Sequence, residues 1–151
     1  MGATSLPALA SSSPSPSAVS VLDRQLLPAA HQGNLWEITT SQQAQSAATT
    51  ACVKRVSADF IRDHRVLDAG VVKDAARLGV ALPSGQSGAQ LRQTAALKSL
   101  AGTPAYDAAW LKAQYPAHVQ TLALVDKVIA SGTSPLVTDL GVIASGSRRT
   151  W

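Results

Sequence analysis

From Asp23 onward, apolar residues recur at steps of three and four along most of the chain, and no strand-length run alternates apolar with polar. That periodicity predicts amphipathic helices and no sheet. A first helix is expected over about 24–45, with Asp23 as N-cap and Leu27, Ala30, Asn34, Ile38 and Gln45 near one face. Pro28 would delete a backbone hydrogen bond beyond the first turn, so the regular helix is expected to begin nearer Leu26. The clearest pattern follows Thr49-Thr50. Val53, Val56, Phe60, His64, Leu67, Val71, Ala75 and Leu78 form one seam of a second helix, which Gly79 should cap and Pro83 should keep from resuming. After the polar loop 84–88 come a short helical stretch, 89–100, and a third long helix, 105–130. That helix carries Leu111, Gln114, His118, Leu122, Val125 and Ile129 on one seam, with Trp110, Ala117, Thr121, Leu124 and Val128 beside it. Pro116 should bend it. Pro135 can open a short fourth helix ending near Ser145. An all-α bundle is the consistent architecture.

Composition narrows the class. Of 151 residues, 46% are hydrophobic and only 15% charged, below the roughly 25% charged of an average soluble domain, which argues against a charge-driven disordered chain or a coiled-coil rod. The predicted organisation is a Ser/Pro-rich disordered tail over 1–22, a helical bundle domain over 23–146 and a tail over 147–151. Ala8-Leu9-Ala10 has the small-x-small form of a signal-peptidase site, so the first segment reads as the remnant of a signal peptide whose beginning lies upstream, and the mature protein is expected to be exported, periplasmic or secreted. No apolar run reaches 18 residues, and no transmembrane span is predicted. The net charge of +4 comes from basic residues scattered along the chain with few aromatics among them. A nucleic-acid partner is therefore not expected, and weak association with an anionic envelope surface is the stronger electrostatic reading. The single cysteine, Cys52, excludes an internal disulfide and a multi-thiolate zinc site. A helix start would make Cys52 more acidic, and a buried small hydrophobe is the simpler expectation.

Several pieces together carry a family resemblance: Asp23, Ala30, Gly33 and Glu37 in the first helix; Phe60-Ile61-Arg62-Asp63-His64 leading to Leu78-Gly79-Val80-Ala81-Leu82-Pro83; Tyr106-Asp107 after Leu100-Ala101-Gly102; and His118 in a Leu-rich helix. Over about residues 23–144 the chain resembles the bacterial exported bundles grouped as domain of unknown function 4142. The resemblance implies a ferritin-like antiparallel four-helix bundle, here with a short fourth helix, export to the periplasm or cell envelope, and no established reaction. The chain departs from the family at Ser147-Arg148-Arg149-Thr150-Trp151, where the family's last helix usually continues to another histidine.

A ferritin-like fold brings a di-iron centre to mind, and that centre uses several inward glutamates and two Glu-x-x-His repeats. This chain has one glutamate, Glu37, and Ile61 and Tyr115 stand three residues before His64 and His118. A di-iron oxidase or iron store is not expected on that count. A smaller constellation remains: His64 and Asp68 on one face of the second helix, His118 on the third and Glu37 on the first. If the helices meet at one level, these four would bind zinc or another divalent metal. The alternative is a satisfied polar layer, with His64 bonded to Asp68 or a neighbouring helix, that fixes helix register. Asp63 is read as a solvated partner of Arg62, His31 as a surface or boundary histidine, and Trp36 and Trp110 as packing residues. No Gly-x-Ser-x-Gly elbow accompanies the histidines, so a hydrolase is not supported. The leading expectation is a non-enzymatic exported bundle of envelope or stress-related role with no cofactor. The alternatives are a divalent-metal protein using its core histidines and an interaction module, in which the groove left by a short fourth helix receives a second copy or a protein partner.

Overall fold

The computed structural model describes residues 19–131. Four helices account for nearly all of this span: α1 (Val21–Ala47), α2 (Ala51–Leu78), α3 (Gly88–Lys98) and α4 (Pro104–Ser131), and no strand occurs among the described residues. The all-α four-helix architecture expected from the periodicity is what the chain adopts. The short member is α3, the stretch expected at 89–100. The helix expected at 135–145, the tail at 147–151 and residues 1–18 of the tail expected over 1–22 lie outside the described residues, whereas Val21 and Leu22 belong to α1.

Helix ends follow local chemistry. Ser20, and not Asp23, caps α1: the Ser20 hydroxyl accepts from the Asp23 amide while the Asp23 carboxylate accepts from the Ser20 amide, both at 3.1 Å. This reciprocal box satisfies two amides that would otherwise be orphaned, so the helix starts at Val21 and carries Pro28 within it. Thr50 caps α2, Gly79 ends it at φ 64°, and Ser87 and Gln90 repeat the box at the start of α3. Asp107, at the start of α4, accepts from the amides of Thr49 and Thr50 at 2.8 Å each, and the Gly102 amide donates to the Ala47 carbonyl at 2.8 Å. The α1–α2 turn is thereby pinned to the base of α4.

Two apolar clusters give the helix directions. At one end Ala44, Ala47, Val53, Phe60, Leu97, Tyr106 and Trp110 pack together. At the other, Leu26 and Leu27 meet Val71, Ala75, Val125 and Val128. Helix α1 therefore runs antiparallel to both α2 and α4, and these two run the same way. Parallel neighbours need a long crossover, supplied by 79–103 with α3 on it, the device that ferritin-like folds use. Every seam position named for the second helix is buried or half-buried. Of the seam expected on the third long helix, Gln114, His118, Leu122, Val125 and Ile129 are buried or half-buried, as are Trp110 and Val128 beside it, whereas Leu111 is 51% exposed. Tyr106 and Asp107, both buried on the first turn, start the inward face at Trp110 and leave Leu111 outside it. Cys52, expected to be buried, is exposed on the first turn of α2, because Val53 takes the inward position beside it.

Candidate metal centre

Between the two apolar clusters lies a polar layer contributed by α1, α2 and α4. Glu37 on α1, His64 on α2 and His118 on α4 each offer a ligand atom, and these atoms all lie within 4.8 Å of one another. Glu37 is 4% exposed. Burial raises its carboxyl pKa from 4.5 to about 8, against the lowering effect of a hydrogen bond from Gln114, so the metal-free carboxyl is neutral at pH 7. With its amide nitrogen turned toward the acid, Gln114 reaches Glu37 Oε2 at 2.6 Å and Oε1 at 2.8 Å. His118 Nδ1 stands 3.6 Å from Glu37 Oε1.

Both imidazoles are oriented through Nδ1. His64 Nδ1 is 2.8 Å from Asn34 Oδ1, and His118 Nδ1 is 2.9 Å from the Gln114 carbonyl one turn earlier on α4. Amide oxygens only accept, so each Nδ1 carries a proton, and Nε2 is the atom of each ring left to act as a ligand. A donated ring N–H that fixes the tautomer is the usual outer-shell support of a metal-bound histidine. Desolvation first, and then the neighbouring His118, lowers the His64 pKa to about 4, which keeps this ring neutral over the physiological range. Phe60 packs on both rings, with centroids 5.8 Å from His64 and 5.3 Å from His118, and the two histidine rings meet edge to face at 5.8 Å.

Three of the four residues expected as ligands are therefore brought together. Asp68 is not among them: its Oδ1 lies 2.7 Å from His31 Nδ1, with the two side chains 16% and 12% exposed. In the antiparallel α1–α2 pair, the residues three before Asn34 and four after His64 come face to face, so His31 takes the carboxylate. His31 is half-buried, the boundary position expected of it, and the same pairing gives His64 a partner in Asn34. Asp63 pairs with Arg62 at 2.9 Å, as expected. Asn34 and Gln114, the two supports, carry a signal in the sequence, since each is a polar residue on a mainly apolar seam.

One large cavity adjoins the layer, about 440 Å³ in volume. Its wall includes all three cluster residues and Trp36, whose indole nitrogen is buried and has no hydrogen-bond partner among the described residues. Trp110 does pack in the core, as expected, and is fully buried.

Fold and layer together define an all-helical four-helix protein with a compact two-histidine, one-carboxylate cluster at its centre. The chain belongs to the family described as domain of unknown function (DUF4142), whose profile matches residues 8–140. No curated protein and no solved structure matches it.

Proposed function

We propose that this protein binds a single divalent transition-metal ion of the zinc type through Glu37, His64 and His118. The observation that carries the reading is the convergence of three ligand atoms from three helices within 4.8 Å, with both histidines held by Nδ1 donation. Two imidazoles and one carboxylate are a borderline donor set that suits zinc or ferrous iron and leaves coordination positions open. One glutamate supports a mononuclear ion and not the dinuclear centre of carboxylate-rich bundles. The family resemblance and the Ala8-Leu9-Ala10 segment support a place for this binding in the cell envelope. No described helix is long and apolar enough to cross a membrane.

Calorimetric titration of the metal-free protein with zinc tests the reading. One site of micromolar or tighter affinity is expected, weakened at least about a hundredfold in Glu37→Gln, His64→Ala and His118→Ala, a loss of about 2.8 kcal/mol each. Unchanged heats in all three variants would leave the cluster as a polar layer that fixes helix register.

A further inference from the structure

The cavity of about 440 Å³ is bounded by α1, α2 and α4 with Gln90 of α3, and its volume falls within the roughly 300–1,000 Å³ of small-molecule pockets. Its wall has two characters. Glu37, His64 and His118 form a polar face, whereas Leu27, Ala30, Leu67, Val71, Leu124 and Val125 make most of the remainder apolar. Asp63, the one other acidic residue in the wall, is engaged by Arg62.

Charge fixes the sign of the ligand. A divalent ion held by two neutral imidazoles and one carboxylate carries a residual single positive charge, and an apolar wall makes an unbalanced charge expensive. A monoanion balances it, and an apolar body matches the rest of the wall.

We propose that the cavity beside the metal cluster binds an apolar monocarboxylate, a medium-chain fatty acid or an aryl-alkanoic acid, with its carboxylate on the metal and its tail along Leu27, Val71 and Val125. The inference rests on the metal reading and gives that site its ligand class.

Gly33 provides the decisive variant. It lines the cavity, and a Cβ built there meets no atom within 4 Å. Gly33→Leu therefore fills the cavity without a clash and favours the helix. Zinc-loaded wild-type protein is titrated calorimetrically with decanoate, hydrocinnamate and decylamine. Both acids should bind and the amine should not, and the tighter acid distinguishes an acyl-chain from an aryl source. Gly33→Leu should lose the acids while keeping zinc affinity within about threefold. Zinc binding without acid binding, or acid binding undiminished in Gly33→Leu, overturns this proposal alone. Failure of zinc to bind overturns the metal reading and this proposal together.

Discussion

Asn34 Oδ1 and His64 Nδ1 meet at 2.8 Å across the α1–α2 interface, and this one contact commits the His64 proton to Nδ1. Asn34 touches the cluster only through that ring. Asn34→Ala is therefore expected to leave the helical circular dichroism intact while weakening zinc binding about 10–100-fold, the usual cost of removing an outer-shell partner. Competition against a chromophoric chelator measures it. An unchanged affinity would show that His64 needs no orientation.

The metal-free protein should have an unusual pH–stability curve. For Glu37 the folded pKa of about 8 lies above its ordinary 4.5, so between these values the unfolded chain has lost a proton that the folded one keeps. Stability then falls as pH rises, by up to about 1.4 kcal/mol per pH unit. For His64 the folded value of about 4 lies below 6.5, so its contribution rises with pH from about 4 to 6.5. The two oppose each other between 4.5 and 6.5, leaving a plateau followed by a decline toward pH 8. Glu37→Gln should abolish the alkaline decline in urea melts taken across this range. A wild-type curve flat from pH 6.5 to 8 would contradict the upward shift that burial gives Glu37.

Metal binding and proton release are linked at the same residue. At pH 7 Glu37 holds its proton without metal and must give it up to become a ligand, so zinc binding should release about one proton from this group. Calorimetry at pH 7 in buffers of different ionisation enthalpy measures that release, and Glu37→Gln should not show it.

Core packing at the Trp110 end of the bundle reaches the site through Phe60, which also touches both histidine rings. Trp110 is fully buried, with Phe60 5.7 Å away between ring centroids. Trp110→Ala should cost about 3–5 kcal/mol, a large share of the stability of a small domain. Guanidinium melts of the metal-free protein should show a midpoint shift of that size.

Much of this structure can be read from the chain because the signals are local. The α2 seam from Val53 to Leu78, the Thr50 cap and the Gly79 stop each follow from a few neighbouring residues. The Ser20–Asp23 box is equally local, but Asp23 next to the first apolar turn has the form of a cap itself, and Pro28 suggests a later start than the box allows. The cluster was legible as residue types: the lone glutamate and two seam histidines do converge. What spacing along one helix could not show was the choice made between helices. His64 and Asp68 share a face of α2, yet the α1 register hands Asp68 to His31 and His64 to Asn34. Leu111 likewise lies on a seam of the right period and faces outward, because Asp107 and Tyr106 fix the rotation of α4 from its first turn.

The most direct test of the central claim is zinc-edge X-ray absorption of the protein loaded with one equivalent of zinc. The account predicts two imidazole nitrogens at about 2.0–2.1 Å and carboxylate or water oxygen completing the shell. Loss of one imidazole contribution is expected in His64→Ala and in His118→Ala. A spectrum of oxygen ligands alone, or one that neither substitution alters, would contradict it.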